Sequence, residues 1–401
     1  MPIIEPMNPL DPALAVDPYP TYARLRSADP VHMTALGAFA LTRHADVTAM
    51  LRDAATYQHC YVASQTARVG PNVADEPYFG FFRLMTFVLD DPDHRRVRRL
   101  MQGAFSPARI DAMRPRTLAL AHELVDARTA ARSMDVVTDF ALPLPMRVIG
   151  SIMGIPDADH ARIGADATAL NPVLEFLPMS ADVLARANDA VRALADYFTD
   201  LADRRRREPT GDLFSALVHA AVDGERLTHD ELIANAILLY IAGHETSAGG
   251  TGLALLALHH HPDQLAVLRD RPELIPNAAE ELLRYDTPGQ GTARVVMADT
   301  TVGGTPMNAG SMVLAYLGAA NRDPDVYPDP DRLDVTRDLT AQRPATWGGG
   351  AHLCLGRALA LQEIEATLEV LLTRCPGLTV DDWHFRPTPL MRGFDSLNVH
   401  W

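Results

Sequence analysis

The chain has 401 residues, 47% hydrophobic, 22% charged and 6% aromatic, a composition that excludes a disordered, collagen-like or disulfide-scaffold protein. Its 36 basic residues against 51 acidic ones leave a formal charge of −15, so the molecule as a whole repels nucleic-acid phosphate and anionic lipid. Three cysteines, Cys60, Cys354 and Cys375, are too few for a disulfide framework and suit a reducing cytoplasm.

The opening residues lack the basic start and apolar run of a signal peptide. Ser106-Pro107 begins a predicted helix that runs toward Ala131, with proline at the first helical position. Val191, Leu194, Phe198 and Leu201 recur at steps of three and four, an amphipathic stripe ending in the solvated run Arg204–Arg207. Thr228-His-Asp-Glu231 is a capping box, because threonine and glutamate each satisfy an orphan amide of the helix that follows.

That helix carries the longest apolar stretch, Ile233 to Leu258, which is long enough to span a bilayer. It also carries Asn235, His244 and Glu245, and a mid-membrane acid costs about 2.5–3.5 kcal/mol even on a lenient scale. A helix buried in a large soluble core is the better reading. Further helices are predicted at Leu265–Asp270, Glu273–Arg284 and Gly356–Arg374. Strand signals are sparse: Ala293–Thr301, the turn Gly303-Gly304 and Ser311–Leu317 read as a small hairpin unit. The Asp/Pro-rich stretch Asp323–Asp331 is a loop. With no repeat and no flexible linker, the expectation is one large, mainly α domain with small β-sheets, spanning residues 1–401.

Trp347-Gly-Gly-Gly-Ala-His-Leu-Cys-Leu-Gly-Arg357 is the most informative segment. A glycine-dense loop delivers Cys354 to the start of a predicted helix, where amides and the helix dipole stabilise a thiolate. Gly356 removes a side chain just after the sulfur, so a flat, wide group could approach the backbone. A thiolate so held suits the axial position of a haem iron. Zinc would need four ligands, and Cys354 with His352 supplies two. A cysteine nucleophile with His352 as base and a buried structural cysteine are the remaining readings.

On the long helix, Ala242, Gly243 and Thr246 share one face within a turn, with Glu245 beside them. Small residues open a notch there, and an acid next to an alcohol can relay protons into it. The plainer alternative is a helix bend with the threonine bonded back to a carbonyl. Glu281 and Arg284, at i and i+3, can pair on one helix face.

The set and its order resemble the cytochrome P-450 superfamily of haem-thiolate monooxygenases in their soluble bacterial form, over most of the chain. His94-Arg-Arg-Val-Arg98 resembles the family's propionate-binding helix start, Ala242–Ser247 its oxygen-activation motif, and Glu281–Arg284 its buried Glu-x-x-Arg pair. Ala320–Pro324 and Asp329–Leu333 resemble the meander, with Arg332 as the expected third member of the ion network. Gly348–Gly356 resembles the cysteine loop, and Arg392–Leu397 the substrate-facing C-terminal turn. Several positions depart from the pattern. Trp347 stands for the usual phenylalanine, where an indole N–H could alter hydrogen bonding near the sulfur. Leu333 stands for phenylalanine, Ser247 for a second threonine and Asn398 for a frequent proline. Gly249, Gly250 and Gly252 suggest a bend or room for substrate.

The resemblance implies a single large domain around a buried haem b (iron protoporphyrin IX), with Cys354 as axial thiolate and metal ligand and Gly356 beside it. His94, Arg98, Arg294 and His352 would hold its propionates, and Gly243, Glu245 and Thr246 would shape the dioxygen notch and relay protons. His244 is a bystander, and His259–His261 cap a helix end. The implied reaction inserts one oxygen atom from dioxygen into a bulky hydrophobic substrate, by hydroxylation or epoxidation, such as a polyketide, macrolide or terpenoid of bacterial secondary metabolism. A peroxide-driven peroxygenase and a non-enzymatic haem sensor are the alternatives.

With no flavin or iron–sulfur motif, electrons from NAD(P)H would arrive through a ferredoxin and its reductase. Arg95, Arg96 and Arg99 offer a local basic face for such a donor. Tyr78, Phe79, Phe81, Phe82, Met85 and Phe87, then Leu174, Phe176, Leu177 and Met179, are the expected apolar supply for the substrate, with Glu175 and Arg83 the few charges among them. Thr287–Val296 and Leu390–Leu397 complete the expected substrate segments. The protein is expected to be a cytoplasmic monomer that binds neither nucleic acid nor membrane.

Overall fold

The computed structural model describes residues 5–174, 178–388 and 390–401. Backbone contacts divide the chain into two compact units: Met1–Gln58, Ala121–Leu142 and Thr246–Trp401 form one, and His59–Leu120 with Pro143–Glu245 form the other.

The first unit holds the named strands β1 (Val31–Met33), β2 (Phe39–Leu41), β3 (Tyr57–Gln58), β4 (Ser133–Asp135), β5 (Gly291–Val296), β6 (Thr300–Val302), β7 (Thr305–Met307), β8 (Met312–Tyr316), β9 (Thr379–Phe385) and β10 (Phe394–His400). A five-stranded sheet runs β1-β2-β8-β5-β3, antiparallel except for β2 against β8. A second sheet runs β4-β10-β9, and β6 pairs with β7 across Gly303-Gly304. Both glycines of that turn have positive φ (56° and 86°), which a two-residue hairpin loop requires and which glycine adopts without steric cost. The predicted strand Ala293–Thr301 is therefore two strands, β5 and β6, interrupted between Val296 and Thr300. Val31, Leu41, Val47, Met50, Val313, Ala315 and Leu317 form the core beneath the larger sheet, and Leu268, Leu282, Leu283, Ile364 and Leu368 join helix Ile275–Tyr285 to helix Arg357–Arg374.

Among the described residues, the named elements of the second unit are all helices. Its longest whole helix, Ala181–Arg207, starts at a Ser180 cap that accepts from the Val183 amide (3.3 Å) and buries Val191, Leu194, Phe198 and Leu201, the stripe read from the sequence. Phe198 meets Phe214 and Tyr240 at ring separations of 5.7 and 6.3 Å. The helix expected from Ser106 to Ala131 is broken: Ser106 caps Pro107–Asp111, and a new helix runs from Arg114 to Asp126.

The long helix spans His229–His260, 32 residues, and its capping box forms as read: the Thr228 amide donates to Glu231 (2.9 Å) and the Glu231 amide to the Thr228 hydroxyl (3.2 Å). Among the described residues no helix is long and apolar enough to cross a membrane. His261 Nδ1 lies 2.8 Å from the Ala257 carbonyl and takes the helix-end role, whereas His259 accepts from the Val380 amide (3.4 Å).

Candidate active site

Along the long helix, every residue from Glu231 to Ile241 and from Ser247 to Leu258 is buried. Between them Ala242 is exposed, and Gly243, Glu245 and Thr246 are half-buried, so the helix presents one accessible stretch carrying an acid and an alcohol. Glu245 accepts from Asn171 Nδ2 (2.5 Å), a partner the sequence did not reveal. His244 is fully buried, with Nδ1 3.1 Å from the Tyr240 carbonyl. At Gly243 a side chain would stand 3.3 Å from Ile149, so the lack of one there serves helix packing.

The glycines that follow do not open space. A Cβ at Gly249 would lie 2.7 Å from the Arg392 carbonyl oxygen, one at Gly250 2.9 Å from Leu283, and one at Gly252 2.7 Å from Phe394. The helix is unbroken through them. These positions are glycine because neighbouring chain packs against the helix backbone, which corrects the reading of a bend or a substrate recess.

Cys354 sits in the loop between Trp347 and helix Arg357–Arg374, with Gly356 at the helix start. Its amide donates to the Trp347 carbonyl (2.9 Å), closing the loop, and its side chain is exposed. The other two thiols are poor thiolates: burial and the Asp90 carboxylate raise Cys60, and burial pushes Cys375 up to about 11. Among the described residues no group of three or more His, Cys, Asp or Glu is placed to hold a metal ion. Open space lies where a Cβ of Gly356 would stand. An exposed thiol at a helix start with a bare backbone beside it fits a haem.

Trp347 is buried, and its indole N–H donates to Glu280 Oε2 (2.9 Å) rather than toward the sulfur. Glu281 and Arg284 are fully buried and doubly bonded, at 2.6 and 2.9 Å, and Arg284 also donates to the carbonyls of Asn321 (2.8 Å) and Pro330 (2.9 Å). The second cation on Glu281 is Arg337 (3.1 Å), not Arg332, which contributes only its backbone carbonyl. Asn321 accepts from the Ala345 amide (2.6 Å) and donates to Thr346 (2.8 Å), which ties this network to the start of the cysteine loop.

Arg294 lies on β5, nearly buried, and bonds Thr292 (2.9 Å) and the Ala293 carbonyl (2.7 Å). His352 shares the loop of Cys354, while His94 and Arg98 lie on helix Asp93–Ala104 of the other unit. The expected basic face is not free. Arg95 pairs with Asp91 (2.7 Å), Arg96 with Glu231, and Arg99 with Asp223 (3.1 Å) and Glu225 (2.8 Å), so the protein's own acids neutralise it.

Of the aromatic supply, Tyr78, Phe79, Phe82 and Met85 are buried core, leaving Phe81 half-buried and Phe87 exposed; Glu175, Phe176 and Leu177 lie outside the described residues. The segment Arg392–Leu397 is not a turn: Phe394 opens β10, and Arg392 pairs with Asp286 (3.0 Å). β10 is paired on both sides, Asn398 donates to Asp382 (2.8 Å), and proline is unsuited to a central strand.

The cytochrome P-450 family model matches residues 165–384. The chain is 36% identical to the 6-deoxyerythronolide B hydroxylase of Saccharopolyspora erythraea, over 96% of each chain. This chain belongs to the cytochrome P-450 family. It is likewise 38% identical to the nocardicin C N-oxygenase of Nocardia uniformis subsp. tsuyamanensis, over 98% of each. Among solved structures, CalO2 superposes with a TM-score of 0.93 at 32% identity, covering 99% of both chains. P-450BioI, solved in complex with a fatty-acid-ligated acyl carrier protein, gives 0.89 at 33%, covering 97% of this chain and 99% of that one. Membership makes the protein a cytochrome P-450 oxidoreductase whose cofactor is a haem bound through a cysteine thiolate.

Proposed function

We propose that this cytochrome P-450 inserts one oxygen atom from dioxygen into a bulky hydrophobic small molecule, consuming two electrons and two protons and releasing water. The observation that carries the reading is the accessible Glu245–Thr246 pair on a helix otherwise buried on both sides of it. The haem supplies the centre at which dioxygen is bound and split. Cys354 would ligate it, with the helix start and the bare backbone at Gly356 beside the thiolate. His94, Arg98, Arg294 and His352 would each bond a haem propionate, a charge-assisted contact of the strong kind. The Thr246 hydroxyl donates a proton into the dioxygen site, and Glu245 resupplies it while Asn171 holds its carboxylate. The half-buried Gly243 completes that stretch of helix.

Phe81, Phe87, Leu174 and Met179 remain as accessible apolar surface for the substrate. With relatives that are a macrolactone hydroxylase and an N-oxygenase, a polyketide, macrolide or terpenoid of secondary metabolism is the substrate class we favour. Electrons would come from NAD(P)H through a reductase and a ferredoxin, to a cytoplasmic monomer.

The test is Thr246→Ala in the reconstituted system. The variant should bind haem, carbon monoxide and substrate as before, since alanine is the better helix former. Product formed per NAD(P)H oxidised should fall by about tenfold or more, with peroxide released instead, and added peroxide should restore turnover relative to the parent. Unchanged coupling would remove the pair from the reaction and favour the peroxide-driven enzyme or the sensor.

A further inference from the structure

The cysteine loop is held by a residue that none of the recognised motifs contains. Glu280 lies on helix Ile275–Tyr285, directly before Glu281, whose pairing with Arg284 is fully buried and gives this helix a rigid footing. Its two carboxylate oxygens point to the two sides of the loop. Oε2 accepts from Trp347 Nε1 (2.9 Å), seven residues before the cysteine, and Oε1 accepts from the Arg357 guanidinium, three residues after it. The Arg357 guanidinium also stands over the Trp347 ring, 5.7 Å from its centre, so the three side chains form a closed set. The bond from the Cys354 amide to the Trp347 carbonyl makes the tryptophan backbone part of the same ring of contacts.

We propose that Glu280 is the positioning residue of the cysteine loop, one carboxylate gripping it through Trp347 on one side of Cys354 and Arg357 on the other, and so fixing how the thiolate meets the iron. This rests on the haem-thiolate reading. It also assigns a role to the tryptophan that replaces the usual phenylalanine: phenylalanine has no N–H, so only the indole can engage the carboxylate. A carboxylate is suited to the task because it can accept from both donors at once, and bonds to a charged acceptor are the stronger class.

The experiment follows the carbonyl complex of the reduced holoprotein under mild denaturant, measuring how fast its red-shifted thiolate band converts to the blue-shifted form while helix content by circular dichroism stays constant. A parent protein without the red-shifted band would refute the haem-thiolate reading itself, before any variant is made. Given that band, Glu280→Ala and Trp347→Phe should each speed conversion by about tenfold, the ratio that corresponds to about 1.4 kcal/mol. The double variant should be no faster than the faster single one, because both remove the same unit. Glu280→Gln should lie between parent and alanine, since its amide oxygen still accepts the indole N–H while the charge facing Arg357 is gone. If Glu280→Ala does not fold, Glu280→Gln decides alone. Conversion at the parent rate in a folded, haem-loaded Glu280 variant overturns the proposal, and so do additive effects in the double variant.

Discussion

Replacing Glu363 with glutamine should stabilise the protein, and increasingly so as pH rises. Glu363 lies on helix Arg357–Arg374 at 2% exposure, and neither carboxylate oxygen has a hydrogen bond of ordinary geometry, with the Ser247 hydroxyl favouring its ionised form. Burial pushes its pKa up from 4.5 to about 8. In the unfolded chain the group ionises near its ordinary value, so between 4.5 and 8 the native state carries a proton that the unfolded state has released. Stability from this group is therefore highest below the unfolded value, falls as pH rises through that window, and levels off above it. At neutral pH the window is crossed by about 2.5 units, and at about 1.4 kcal/mol per unit the glutamate costs about 3 kcal/mol. Glutamine has the same shape and no titration. Its advantage should be near zero at about pH 4.5 and reach about 3 kcal/mol at about pH 7, a midpoint shift of about 3–4 °C for a chain of this length. Thermal unfolding of the holoprotein across that range measures it. Parent and variant curves that stay parallel would show that Glu363 is already satisfied, and the reasoning would fail.

Cys354→Ala should abolish the red-shifted band of the reduced carbonyl complex, read directly from the difference spectrum. Arg284→Ala should cost about 3–5 kcal/mol, because Glu281 would be left buried with its nearer cation gone; the yield of soluble, haem-loaded protein should collapse. Gly249→Ala should destabilise by about 1–3 kcal/mol by thermal unfolding, since the added carbon would stand 2.7 Å from the Arg392 carbonyl, outweighing the roughly 1 kcal/mol gain in helix propensity.

Features that depend only on residues close along the chain were legible before any fold was known. The capping box at Thr228–Glu231, the glycine turn at 303–304, the buried stripe of Ala181–Arg207 and the paired Glu281 and Arg284 all formed as read. Each needs only a helix or a tight turn to bring its parts together. The cysteine loop was legible for the same reason, and it carried the family. Features that need a partner distant in sequence were set by the fold. Strands β1, β2 and β4 are three residues each and take their pairing from partners across the sheet, so no periodicity announced them. The family resemblance points to Arg332 as the further cation on Glu281, and the path of the loop brings Arg337 there instead. Gly249 reads from the sequence as a bend or a recess, and the Arg392 backbone packed against it shows a close contact instead. The aromatic run from Tyr78 to Phe87 was expected to meet substrate, but most of it packs inward, because burial depends on what lies across from a side chain. Glu363 and Glu280 are both acids on helices. One is buried without an adequate partner and the other bridges a tryptophan and an arginine, a difference made entirely by what surrounds each in three dimensions.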